Sequence, residues 1–330
     1  MTATAPPRRC IDTHHHILPP RYLAQARDRV AAVAGEFAEQ VLAWTPAKSI
    51  EAMDRAGIGT SVTSISSPGL WFGNARETNR LARECNEFAA RLRADHPGRF
   101  GVFAALPLPG VEATLAEISY TCEVLNADGY GLFTNYGGTW LGDSAFAPVM
   151  DELNRRRAVV FVHPLACPQC AGLLPGVPDA ILEYPFDTTR AITSLLYSGT
   201  LMRCPDIRFI FSHGGGALPM LAHRIARYAG INKEISKRVS GDAREQLERL
   251  FFDMVGMTQR SAFDSLRAFG NVAQLVFGSD YPYWLPEMAV SGLASLGLSN
   301  AELAAIHSEN ALRLLPRLSN NQSAARERTT

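Results

Sequence analysis

The chain has 330 residues, with 32 basic and 32 acidic side chains, 47% hydrophobic and 19% charged residues. That balance leaves no net field to draw the protein to nucleic acid or to an anionic membrane. With no uninterrupted apolar run of about 18 residues and no hydrophobic core in the opening MTATAPPRRC, neither a membrane span nor a secretory signal is expected. Six scattered cysteines do not make a disulfide scaffold in a chain of this size, so a globular, cytoplasmic protein is expected.

Taken in chain order, short β-rich runs alternate with helical patterns. The runs are 10–14, 60–66, 100–106, 130–134, 158–163, 207–213, 250–254 and 274–280, and several are apolar almost throughout, as strands buried on both faces should be. Helical spacing recurs at 48–57, 79–98, 111–126, 146–157, 188–199, 218–230 and 261–270. Strand followed by helix, repeated around the chain, predicts an α/β fold, a (β/α)8 TIM barrel forming one domain over residues 1–330. An open doubly wound sheet would want a glycine-rich phosphate fingerprint after the first strand, and none is present. Residues 17–47 read as a small insertion after the first strand, 164–187 as a long proline-rich loop, and about 318–330 as a flexible tail.

Four of the runs end in metal-ligand residue types. The first closes on Asp12-Thr13-His14-His15-His16, and strand alternation puts His14 and His16 on one face with His15 on the other. The others close on His163, on His213 followed by three glycines, and on Asp280. In a barrel these ends meet on one rim whatever their separation in sequence. A lone buried histidine is more often a hydrogen-bonded core residue than a ligand, but four such sites on one rim point to a metal. The Cys167-x-x-Cys170 pair lacks a second pair at metal-ligand spacing and the strand-to-helix context of a redox motif, and Gly214-Gly215-Gly216 lacks the Lys-Ser/Thr of a nucleotide loop.

The ordered motifs IDTHHHILP (11–19), VFVHP (160–164), PFDTT (185–189), RFIFSHGGGALPMLAHR (208–224), FGSDYP (277–282) and ENALRLL (309–315) resemble the amidohydrolase superfamily. Within it they resemble the branch of non-oxidative decarboxylases that acts on aminocarboxymuconate semialdehyde, γ-resorcylate and 6-methylsalicylate, and the stretches SSPGLWFG (66–73) and LFTNYGG (132–138) resemble the last subgroup most closely. The resemblance implies one divalent ion, zinc first and manganese second, held by His14, His16, His163 and Asp280. It implies that His213 and Asp280 are catalytic, either one delivering a proton to a ring carbon, with Asp280 preferred for an aromatic substrate. Arg224 matches an arginine that some members extend into a neighbouring subunit's site to hold a carboxylate, which implies a homodimer or higher homo-oligomer.

Trp71, Asn135 and Tyr283 are the further candidate substrate contacts, with Phe72, Thr134, Tyr136, Tyr281 and Trp284 as rim neighbours. Only three of the basic residues are lysines, Lys48, Lys233 and Lys237, and none closes a strand, so the lysine-bridged two-metal centre of many relatives is not expected. The arginine that binds a second carboxylate in the muconate enzymes is replaced by the Lys48-Ser49 stretch, and their tryptophan after the fifth strand is missing. The expected substrate is therefore a small ortho-hydroxylated aromatic monocarboxylate, decarboxylated to a phenol and CO2. The alternative on the same barrel is a mononuclear metal hydrolase of an aromatic lactone or amide.

Overall fold

The computed structural model describes residues 10–319. Eight parallel strands follow one another around a barrel in chain order. They are β1 (Cys10–His16), β2 (Ile58–Ser64), β3 (Phe100–Ala105), β4 (Gly129–Phe133), β5 (Val159–His163), β6 (Arg208–Phe211), β7 (Phe251–Asp253) and β8 (Leu275–Val276). All eight expected runs are strands, although the last keeps only two residues in regular pairing because the chain turns toward the rim at once.

Helix α1 (Pro20–Ala34) lies in the insertion. After it, α2 (Pro46–Ala56), α3 (Ala75–Asp95), α4 (Val111–Glu123), α5 (Ala147–Arg155), α6 (Asp179–Tyr197), α7 (Leu218–Ile231), α8 (Arg260–Phe269) and α9 (Pro286–Ala294) each follow one strand. Their limits have local causes. Helix α2 starts where Thr45 accepts a hydrogen bond from the Lys48 N–H and ends at Gly57, whose φ of 69° suits glycine. Helix α3 is capped by Asn74, which accepts from Glu77 N–H.

The barrel is closed by the seam between β1 and β8. Thr13 N–H donates to Phe277 O at 2.9 Å, Asp280 N–H to His14 O at 2.8 Å and His16 N–H to Tyr281 O at 2.7 Å. Asp12 braces the same seam: one carboxylate oxygen accepts from the N–H groups of His14 and Ser279, each at 3.0 Å, and the other from the Ser279 hydroxyl at 2.6 Å.

The barrel interior is filled by Ile11, Val62, Phe103, Phe161, Ile210 and Val276, with the Phe103 and Phe161 rings stacked at 5.5 Å. Leu315 and Leu318 plug it from below.

Two boundaries differ from expectation. The loop after β5 ends at residue 178, because α6 begins at Asp179 and runs through Pro185. Proline removes one intrahelical bond, to the carbonyl four residues earlier. That residue is Ile181, which is exposed, so the freed carbonyl can face water. The expected tail also starts too early, since Leu318 is fully buried; residues 320–330 lie outside the described residues. Leu318→Ala should therefore lower unfolding free energy by about 2–5 kcal/mol, read from the urea midpoint. A midpoint equal to wild type would mean that the barrel floor does not need this side chain.

Candidate metal centre

The β1 strand carries a register shift between Asp12 and His15. Bulges of this kind re-aim side chains beside active sites. His14 and His16 point into the barrel mouth with their Nε2 atoms 3.0 Å apart. His15 turns outward as expected, to Ser49 Oγ at 2.5 Å, and stacks on Tyr281 with 5.0 Å between ring centroids.

His163 and Asp280 complete the group. One ligand atom from each of His14, His16, His163 and Asp280 lies within 4.8 Å of the other three, and all four residues are buried. Asp280 Oδ1 stands 3.2 Å from His14 Nε2 and 3.1 Å from His16 Nε2, yet it makes no hydrogen bond although it is buried. Such an orphaned carboxylate oxygen costs free energy unless a cation answers it.

Each imidazole is also anchored on its outer nitrogen. His14 Nδ1 faces Asp253 Oδ2 at 2.6 Å, His16 Nδ1 faces Ser64 Oγ at 3.1 Å and His163 Nδ1 faces the Pro164 carbonyl at 2.9 Å. That leaves three inward Nε2 lone pairs and a carboxylate, the donor set of a divalent-metal site. The residues fit the ion.

Electrostatics agree with that reading. Burial disfavours a charged imidazole at His14, but the Asp280 and Asp253 carboxylates outweigh it and raise its pKa to about 10. At His16 burial wins and lowers the pKa to about 4, and at His163 burial together with the neighbouring imidazoles pushes it well below the usual value. Burial of Asp280 opposes ionisation, yet the charge on His14 and the contacts with His14, His16 and His213 hold it well below the usual carboxylate range.

His213 lies beside the quartet, with Nε2 3.4 Å from Asp280 Oδ2. Both residues adopt a left-handed backbone, φ 53° at His213 and 61° at Asp280, which is uncommon outside glycine and clusters at functional sites. The three glycines after His213 make the turn possible. Gly214, Gly215 and Gly216 all have positive φ, and a Cβ on Gly216 would sit 2.1 Å from the Pro185 carbonyl oxygen.

The other expected contacts divide. The Tyr283 ring lies 6.0 Å from His16, edge to face, so it borders the centre, and Trp71 is half-buried in the loop after β2. Asn135 spends both amide hydrogens on the Leu165 carbonyl and Asp187, and its oxygen accepts from Gly138 N–H. It holds the loop after β4 against α6. Thr134 joins the same network through Asp187.

Tyr136 is not on the rim. It is buried against Phe133 and Phe146, because its hydroxyl accepts from Phe133 N–H and draws the ring inward. Trp284 is exposed and its ring lies against Phe37. Arg224 is exposed on α7 and lines an outer groove of about 970 Å³ between α6 and α7, together with Phe186, Tyr228 and Ile231. Within one chain it therefore stands on the outer surface.

Tyr184 and Asp253 are absent from the residues that the motifs pick out. The Tyr184 ring lies 6.3 Å from that of His163, and burial raises its pKa to about 12, keeping it a neutral phenol. Nothing in its immediate sequence marks it, since it reaches the site only because α6 starts earlier than the proline suggests. Asp253 did carry a signal: an aspartate closing the apolar LFFDM run is the same cue that marks Asp280.

The profile of the amidohydrolase family matches residues 11–317. The chain belongs to the amidohydrolase family. A decarboxylase of Aspergillus niger, yanB, is 37% identical over 287 residues, covering 83% of this chain and 77% of that protein. The 6-methylsalicylic acid decarboxylase of Penicillium expansum is 33% identical over 316 residues, covering 93% and 96%. Among solved structures, an amidohydrolase II superposes with a TM-score of 0.83 at 27% identity, over 93% of this chain and 99% of its own.

The three lysines of this amidohydrolase, Lys48, Lys233 and Lys237, are all exposed, and among the described residues one cluster of histidine and carboxylate groups has metal-ligand geometry. Elemental analysis of the purified protein should therefore find one equivalent of divalent metal per chain, with Asp280→Asn and His16→Gln each lowering it. Two equivalents in the wild type would overturn the mononuclear centre.

Proposed function

We propose that this protein is a metal-dependent carboxy-lyase that removes CO2 from an ortho-hydroxylated aromatic monocarboxylate of the 6-methylsalicylate type. The carrying observation is that His213 stands beside Asp280 of a metal-ligand quartet in a chain whose relatives, at 33% and 37% identity over most of its length, are decarboxylases. The metal ligands are His14, His16, His163 and Asp280. The donor set of three imidazoles and a carboxylate favours zinc, with manganese as the second choice.

A single carboxylate on the substrate is supported by the α2 face. Ser49 is spent on His15, and Lys48 is exposed on the far side of that helix, so neither residue of the Lys48-Ser49 stretch reaches the mouth to hold a second carboxylate.

When bound by His14, His16, His163 and Asp280, the ion would supply a Lewis-acid charge that stabilises the anionic substrate. The protein does the rest. Tyr283 and Tyr184 wall the mouth beside His16 and His163, and the Phe161 ring, 5.0 Å from His14, forms an apolar floor that excludes water from the ring. Asp280 receives a proton from solvent by way of His213 and gives it to the ring carbon bearing the carboxylate. The C–C bond then breaks, its electron pair restores the aromatic ring, and CO2 leaves. His213, beside Asp280 Oδ2, orients that carboxyl group and exchanges its proton with solvent.

The chain acts as one catalytic domain and works in the cytoplasm, a reading supported by six free cysteines. A homodimer is supported by the α6–α7 groove and by exposed Met220, Tyr228 and Ile231 on α7, with Arg224 offered to the partner's substrate. Light scattering should then give twice the chain mass of 36.0 kDa. A single-chain mass with full activity at high dilution would remove the cross-subunit role of Arg224.

The direct test incubates metal-replete protein with 6-methylsalicylate, other hydroxybenzoates, aromatic lactones and aromatic amides, followed by mass spectrometry. The expected product is lighter by CO2 and is lost on chelation, and Asp280→Asn should slow its formation by about 10²–10⁴-fold. A product heavier by water would place the protein among the hydrolases, with His213 as the base for water.

A further inference from the structure

We propose that Asp253, at the end of β7, is a positioning residue: one of its oxygens sets the tautomer of His14 while the other fixes the backbone of His213. The two halves of the carboxylate have different partners. Oδ2 stands 2.6 Å from His14 Nδ1, and both side chains are fully buried. Oδ1 accepts from the N–H of His213 at 2.8 Å and from the N–H of Val255 at 3.0 Å. Asp253 thus touches both a member of the metal quartet and the backbone of the turn that carries His213.

A carboxylate has acceptors only. Facing His14 Nδ1, it requires the hydrogen on that nitrogen, which leaves the Nε2 lone pair pointing at Asp280 and the other imidazoles. Facing the His213 N–H, it holds a residue in a left-handed conformation that its side chain does not favour. The position of the metal and the position of His213 are thus referred to the same two-oxygen group on a short, buried strand.

The geometry separates this role from ordinary structural support. In Asp253→Asn the side chain keeps its shape, and the two backbone N–H donors hold the amide oxygen toward themselves. The amide nitrogen must then face His14 Nδ1 and donate to it, which moves the imidazole hydrogen to Nε2, the atom meant for the metal. In Asp253→Ala both backbone donors are orphaned and a cavity is left, but His14 is free to choose either tautomer. A tautomer-setting role therefore gives crossed rankings. Asn is the worse variant for metal binding and Ala the worse variant for stability. A purely structural role ranks Ala worse in both.

The inference rests on His14 being a ligand, so the measurement includes His14→Gln. Zinc affinity is read by competition with a chromophoric chelator, and melting temperature is read on the metal-free proteins. The expected results are a loss of zinc affinity of about 10–100-fold in Asp253→Asn, a smaller loss in Asp253→Ala, and the lower melting temperature in Asp253→Ala.

Wild-type affinity in Asp253→Asn, with affinity lost in His14→Gln, overturns the role of Asp253 and leaves the ligand set standing. Wild-type affinity in His14→Gln overturns the ligand set itself. If neither Asp253 variant folds, nuclear magnetic resonance of the zinc-loaded wild type decides. An exchange-protected, strongly downfield Nδ1 proton on His14 is expected, and a freely exchanging one overturns the proposal.

Discussion

The seam between the first and last strands is the constraint on which the centre depends. Asp280 follows the last strand, more than 260 residues from His14, and only closure of the barrel brings them together. The hydrogen bond from Asp280 N–H to the His14 carbonyl is part of that closure, so the contact that seals the sheet also sets the carboxylate beside two imidazoles. Asp12 makes the arrangement stiff, because its carboxylate satisfies backbone donors on both sides of the seam. Loss of the seam would cost the fold and the site together.

Around this junction the protein concentrates backbone strain and buried charge. His213 and Asp280 both have left-handed backbones, the glycine run after His213 has no room for side chains, and four titratable groups share a space a few ångströms wide. Such features lower stability unless surrounding structure holds them, and here the support comes from stacked phenylalanines beneath and hydrogen-bond acceptors behind each imidazole. The resulting cluster gathers three imidazoles around a buried carboxylate oxygen that has no hydrogen-bond partner, which is the physical reason that it suits a cation.

The walls decide which acid can use that cation. Neutral phenols and half-buried aromatics border the mouth, while Lys48 and Arg224 lie on outer faces of the same chain. A flat ring with one carboxylate and an adjacent hydroxyl matches such walls. The same barrel could activate water instead, so the lyase reading draws on the site together with the chain's kinship rather than on fold alone.

The sequence by itself determined the repeat and the ligands. Eight apolar runs separated by helical patterns can bury themselves in few ways other than a barrel, and the histidines and aspartate at strand ends carry a chemical signal that survives in one dimension. The HHH run even specified which imidazole turns away, because alternation along a strand is local. Tertiary structure decided what depends on partners distant in the chain. Asn135 and Tyr136 sit at a strand end like true rim residues, but Asp187 and the Phe133 amide claim them. Tyr184 entered the site because a helix accommodated Pro185, and Leu318 left the expected tail because the barrel floor had a hole to fill. Asp253 lies between these cases: its residue type was legible, but which two groups its oxygens would serve was fixed only when β1, β6 and β7 met around the same axis.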